Sequence, residues 1–393
     1  MKKIISLLLS FILLFCSCAN NSKPFKEDTT SIIIKIYVNE NLKDIFNSQT
    51  DSIKLGNTEK ELHTEFVDSI EESDIFVFES KEYDALKKKL LKIEKDKTDI
   101  KTRNLFSSYS QVLQNNELFA YPVAIKPEML FYNEMIFNSD EVKSVEKMMF
   151  KDIGKERKCL SFDISDISAV SSFYFTGGYN IFESDSDIKA GSSVTEYLIR
   201  LYSNDKFCNY GIEESLTEFE KENLGAIITN IDNFSKIKAV LKDNFAFQIL
   251  PTVSLDGIDI RLFSFTTTIF LGINKKTRHP LISMDICNYL SGEETQSKLI
   301  SEYYVPSNRK LLEKESKNIF LNTVSKQVEH FAELPNTAYD ENFIKNFNLF
   351  SKELYSGIIT KSNMIKKLEE YKKTIRKNNS FTKDKKYDKI ITT

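Results

Sequence analysis

The chain has 393 residues, with 54 Lys and Arg against 57 Asp and Glu and a formal net charge of −3. Bases and acids are mixed along it, without the concentrated basic face that a nucleic-acid binder needs, so nucleic acid is not expected as a partner. At roughly 360 residues after the N-terminal segment, the body exceeds one typical domain, and two lobes are the natural expectation.

In chain order, MKK supplies a positive start, and Ile4 to Phe15 is an apolar run too short for a comfortable spanning helix of about 20 residues. It ends in FCSCANNS, residues 15–22. Ser17 before Cys18 is the small residue a signal peptidase needs, and a cysteine directly after the cut marks a bacterial lipoprotein. Cys16 follows bulky Phe15, which makes Cys18 the expected lipid acceptor. The expectation is a signal peptide over 1–17, lipidation (palmitate included) at Cys18, and a polar tether over 18–30. Lipid chains there would hold the protein on a membrane without a spanning helix. An uncleaved anchor or a simple secretory signal is the alternative.

SIIIKIYVN (31–39) reads as a strand, followed by polar Asn39 and Glu40 and a helical stretch from about Leu42. SDIFVFES (73–80) is a second strand, and its continuous apolar run suits a parallel sheet covered on both faces. DALKKKLLKIEK (84–95) has the spacing of an amphipathic helix. AYPVAIKPEMLFYN (120–133) reads as two strands broken at Lys126, Pro127 and Glu128, either an ordinary turn or a place where something binds. KCLSFDIS (158–165) is a strand, and SSFYFTGGYNIF (171–182) is an aromatic-dense β segment with a glycine turn, in which Phe173 and Phe175 would face one way and Tyr174 the other. A helix over 193–205 is capped at Ser193. LGAIITN (224–230) is a strand, 232–243 a helix opening on Asp232, and 245–251 and 263–274 are strands. Residues 282–304 read as helix–turn–helix, further helices fill 313–331, 340–354 and 362–377, and 379–393 is a disordered basic tail. This βα order places the chain in the α/β class.

Cys159, Cys208 and Cys287 are too few for a disulfide framework; they read as buried thiols, with one bridge as the alternative. His63, His279 and His330 have no Cys or His at metal-ligand spacing, and no nucleophile elbow or phosphate loop occurs, so neither metal, cofactor nor enzymatic activity is expected.

The order AYPVA…LFYN, a GGY turn, GAIITN, ILP, LGIN, NYLSGEETQSKL and VPSNRKLL resembles the extracellular solute-binding proteins of ABC transporters, of the maltose/maltodextrin-binding type, from about residue 31 to 376. The resemblance implies a two-lobed, periplasmic-binding-protein-like fold of type II. Each lobe would be a mostly parallel sheet flanked by helices, with the ligand cleft between lobes that close about a hinge. It places the first lobe at 31–125 plus 266–316 and the second at 126–265 plus 317–378, with crossings near 124–130, 260–266 and 313–320. It also implies a monomer in the cell envelope, periplasmic or on the surface, which delivers a small polar solute, a sugar or oligosaccharide, to permease subunits. The alternative is a surface lipoprotein whose scaffold binds a protein or host component.

The family's ligand contacts carry over unevenly, because the chain has no tryptophan. The resemblance points to Asn39 and Glu40 after the first strand and to Phe78 where the family's second strand ends in a tryptophan. Lys81 and Glu82 fall on an acid–Arg pair with the charges reversed. Lys126 falls on the acid after AYPVA, with Glu128 as a shifted substitute. Asn233 and Phe234 stand for a second tryptophan, and Tyr339 lies near a third. Phe78, Phe173, Tyr174 and Phe234 are the rings expected to stack on a ligand. Phe78 reads equally as a core residue, and Lys81 and Glu82 equally as a solvated loop. An inward-pointing Lys126 would call for an acceptor-rich or anionic ligand.

Overall fold

The computed structural model describes residues 31–38, 43, 46, 61–93, 99–313 and 318–379. The signal peptide, Cys18, the tether, Asn39, Glu40 and all but the first residue of the tail lie outside the described residues.

The strands are β1 (Ser31–Tyr37), β2 (Glu61–Val67), β3 (Ile75–Glu79), the short hairpin β4 (Leu113–Gln114) and β5 (Glu117–Leu118), β6 (Tyr121–Asn133), β7 (Lys158–Ser161), β8 (Phe207–Cys208), β9 (Leu224–Asn230), β10 (Phe245–Gln248), β11 (Thr252–Leu255), β12 (Ile258–Arg261), β13 (Ser264–Ile273), β14 (Val305–Pro306) and β15 (Phe331–Glu333). The main sheet runs β2-β1-β3-β13-β6-β9-β7-β8. Parallel strands β2, β1 and β3 form one end, and parallel β9, β7 and β8 form the other. Antiparallel β13 and β6 join them. This is the expected two-lobed α/β fold.

The stretch 121–133 is one continuous buried strand, not two strands and a turn. It pairs with β13 from Tyr121 to Pro127 and with β9 from Glu128 to Tyr132. Proline has no N–H for a ladder, and Pro127 falls where one ladder ends and the next begins. The break in the apolar run therefore marks a change of partner. Alternation does the rest. Leu130 and Tyr132 enter the core of the second half, whereas Ile125, Met129 and Phe131 enter a separate cluster with Phe234, Val305 and Phe320. Tyr121, Val123 and Ala124 belong to the core of the first half, with β1, β3 and the end of β13.

Four other local expectations are corrected. The aromatic segment 171–182 is helical at its start: Ile167–Thr176 is a helix, capped by Asp166, whose Oδ1 accepts from the Ser168 N–H at 2.8 Å. It is buried on nearly all sides, so it lacks the polar face that would have announced a helix. The segment 84–95 is helical only over Tyr83–Leu86. Beyond it, the Leu91 and Ile93 N–H groups donate to Ile273 and Leu118 carbonyls at 2.8 and 2.9 Å, pulling the chain onto strand ends instead of into helical turns. The helix predicted from 193 begins at Ile188, where Asp187 and not Ser193 is the cap, accepting from the Lys189 N–H. The stretch predicted helical over 313–331 includes Ile319–Ser325 as helix but ends in β15. The C-terminal helices Glu341–Tyr355 and Met364–Asn379 match their predicted places within a few residues.

Cys159, Cys208 and Cys287 are free and buried. Burial pushes the Cys159 thiol up to about 11 and that of Cys208 up to about 12, so both stay protonated at neutral pH. Among the described residues, no helix is long and apolar enough to cross a membrane.

Candidate functional site

Where β6 changes partner, its side chains meet the ends of β3 and β9. Lys126 is 6% exposed, and its Nζ donates to Glu79 Oε1 at 2.5 Å and to Asp232 Oδ2 at 2.8 Å. Glu79 is the last residue of β3; its other oxygen pairs with Lys81 Nζ at 2.7 Å. The Glu79 N–H donates to Glu82 Oε2 at 2.9 Å. Asp232 follows β9, where its N–H donates to Asn230 Oδ1 at 3.1 Å. The Asn230 amide also donates to the Lys126 carbonyl at 3.2 Å.

Charge explains the state of each group. Burial disfavours the charged carboxylate of Glu79, but Lys126 and Lys81 outweigh it and hold the carboxyl below its ordinary range. Burial likewise opposes the Lys126 ammonium, and Asp232 and Glu79 more than restore it, so its pKa is raised. This corrects the reading of Lys126 as a cation awaiting an anionic ligand, since two carboxylates of the chain already neutralise it.

Glu128 lies two residues on, 1% exposed. Its Oε1 accepts from Asn230 Nδ2 at 3.4 Å, and Oε2 has no protein partner. Burial first, and then the neighbouring Asp166 carboxyl, raise its pKa well above the carboxylate range. Burial thus favours the protonated form of Glu128, which can donate a hydrogen bond.

A second polar group lies beside η-turn residues 80–82. The Gln111 N–H donates to Glu333 Oε2 at 2.7 Å, and the Ser110 hydroxyl donates to the same oxygen. The Gln111 amide donates to Asn336 Oδ1 and to the Ser80 carbonyl. The group thus joins the 106–111 segment to β15 and the Pro335–Asn336 turn.

The other predicted positions divide. Lys81 is exposed and paired, Glu82 is half-buried, and Asn233 donates to Thr229 Oγ1 at 3.0 Å. Tyr339 is half-buried at the edge of the second core. The rings expected to stack on a ligand are core residues, a correction with one cause: each finds protein aromatics on its faces. Phe78, 2% exposed, packs on Phe76 and Phe270 with ring centroids 5.8 and 5.5 Å away. Tyr174 is fully buried beside Tyr179, its hydroxyl 3.1 Å from Thr195 Oγ1. Phe234 stacks on Tyr303 at 3.9 Å and touches Phe131 edge-on. Glu79, Gln111, Asn230, Asp232, Glu333 and Asn336 were not singled out by sequence reasoning. Asp232 showed only as a helix opener, and Glu79 carried no signal beyond lying at the end of an apolar strand.

Comparison with known proteins agrees with this architecture. The family of bacterial extracellular solute-binding proteins matches residues 46–320. No curated protein matches the chain in sequence. Among solved structures, the ligand-free maltodextrin-binding protein MalE1 of L. casei BL23 has a TM-score of 0.75 at 16% identity, with 88% of this chain and 99% of that one covered. The maltose-binding protein MalE of Listeria monocytogenes, solved with maltose, has a TM-score of 0.74 at 14% identity, covering 91% and 100%. An extracellular solute-binding protein of Staphylococcus aureus, also solved with maltose, has a TM-score of 0.71 at 17% identity, covering 90% and 99%. With a family match over well over half of the chain, two parallel sheet ends joined by antiparallel β6 and β13, and polar groups gathered where β6 changes partner, this chain belongs to the bacterial extracellular solute-binding proteins, a family of binding proteins and not of enzymes.

Proposed function

We propose that this chain is the lipid-anchored receptor of an ABC importer, which captures a neutral carbohydrate between its lobes and passes it to the permease. The lobes are 31–125 with 266–316 and 126–265 with 317–378, and the chain crosses between them near 124–130, 260–266 and 313–320. The observation that carries the choice of ligand is the electrostatic state of the crossing strand. Lys126 is neutralised by Glu79 and Asp232, and burial raises the pKa of Glu128 beside them. Such a floor offers carboxyl groups that suit hydroxyls, while the Lys126 ammonium is already paired. The maltose complexes of the Listeria and Staphylococcus proteins support the same class. With the four predicted stacking rings, Phe173 included, committed to cores, polar contacts carry more of the recognition than ring stacking.

The test is a thermal-shift screen of neutral oligosaccharides, maltose and longer maltodextrins included, beside uronic acids of the same size. A ligand at 100 times its Kd adds about 2.7 kcal/mol of stability. Stabilisation by a neutral sugar is the expected result; stabilisation by uronates alone, or by neither set, would overturn the assignment.

The anchor has its own test. Cys18→Ser in the full-length chain expressed in a bacterial host should move the protein from the detergent phase to the aqueous phase in a Triton X-114 partition. Retention of the variant in the detergent phase would reject Cys18 as the acceptor.

A further inference from the structure

We propose that Glu79, Lys126 and Asp232 form a latch across the hinge, holding the two lobes in their present arrangement before any ligand binds. Each member is fixed to a different part of the fold. Glu79 ends β3 and is held to the first lobe by the β3–β13 ladder, where it faces Ile269. Asp232 lies in the turn Ile231–Asn233 directly after β9 and belongs to the second lobe. Lys126 lies on the strand common to both, two residues before the ladder with β9 begins at Glu128. Any rotation about the 127–128 changeover separates Glu79 from Asp232, and one ammonium group cannot follow both.

The two arms differ. Lys126 and Glu79 are largely buried, with side chains 8% and 19% exposed, and Lys81 backs Glu79 from the other side. The Asp232 side chain is 48% exposed. On opening, the Lys126–Glu79 pair stays together, because parting a buried pair is costly. Asp232 leaves and is taken up by water, so it is the detachable arm. An arm of this exposure is weak and screened by salt, which suits a contact that must break and reform.

The inference rests on the two-lobed fold and not on the sugar reading, so its test is done without ligand. In a chain carrying Cys16→Ser and Cys18→Ser, labels at Lys87→Cys and Lys221→Cys, both exposed, report the distance between lobes by pulsed electron–electron spin resonance, while Cys159, Cys208 and Cys287 stay buried. The parent should give a short, narrow distribution. Asp232→Asn, which leaves the Lys126–Glu79–Lys81 chain intact, should lengthen and broaden it. Lys126→Met should do the same, and combining the two should add nothing further. High salt should lengthen the parent distances and leave those of Asp232→Asn unchanged. Unaltered distances in Asp232→Asn, or an equal salt response in parent and variant, would reduce the triad to a static ion pair and overturn the latch. Should Lys126→Met fail to fold, Asp232→Asn and the salt series still decide.

Discussion

Phe78→Ala will cost about 3–5 kcal/mol of stability, the usual range for emptying a buried phenylalanine site. Its ring is enclosed by Phe76 and Phe270, and the absent Cβ of Gly272 is what lets it lie there: a Cβ on that glycine would come within 2.9 Å of the Phe78 ring. Chemical denaturation followed by far-ultraviolet circular dichroism measures the loss. The folded fraction of the variant should keep the parent's preference among ligands, because the ring touches the core of the first lobe and no cleft surface. A change in stability below about 1 kcal/mol together with loss of ligand binding would return Phe78 to the role of a stacking platform, since an exposed ring costs little to remove.

Glu128→Gln will flatten the dependence of stability on pH. In the unfolded chain Glu128 titrates near its ordinary 4.5, and in the folded chain well above that, mainly because of burial. Between the two values the folded state holds a proton that the unfolded state has released. Stability therefore falls as pH rises through this window, with a slope of about 1.4 kcal/mol per unit from this one group. Above the folded value both states are ionised and the slope from Glu128 ends. Glutamine keeps the shape, accepts from Asn230 and cannot ionise, so the variant should gain on the parent with each step above pH 4.5. Urea midpoints from pH 4.5 to 8 check this. Parallel curves for parent and variant would show that Glu128 ionises normally in the folded protein. The opposite sign holds for Glu79, whose lowered pKa contributes stability that disappears only as the pH falls toward acid, so the two carboxyls are separable by the side of pH 4.5 on which each acts.

Much of the fold was legible because its strands and helices obey local rules. LGAIITN is β9 to the residue, FSFTTTIFLGIN contains β13, and the periodic C-terminal helices lie within a few residues of their places. Where periodicity was absent or misleading, the reading failed. The Ile167–Thr176 helix is buried nearly all round and shows no amphipathic stripe, so its dense aromatics passed for a strand. The run 84–95 has a helical pattern, yet its leucines and Ile93 are drawn to strand ends by hydrogen bonds that no local window contains. Strand β2, ELHTEFV, was missed because charged residues interrupt it; it is held by the parallel ladder to β1.

The sequence by itself determined the α/β class, the strands and helices with clear local periodicity, and the family resemblance. It also marked residues 126–128 as anomalous, since a lysine, a proline and a glutamate inside an apolar run violate the strand pattern wherever they fall. Tertiary structure alone decided what the anomaly is for. Pro127 is the changeover between two ladders, and Lys126 is neutralised by Glu79 and Asp232, which are 47 and 106 residues away in the chain. The pKa of Glu128 is raised chiefly because packing has removed it from water. Periodicity and turn chemistry act over a few residues and survive in the linear text. Pairing of charges and exclusion of water depend on which distant strands are laid side by side, and that is fixed by the sheet order and not by any local stretch.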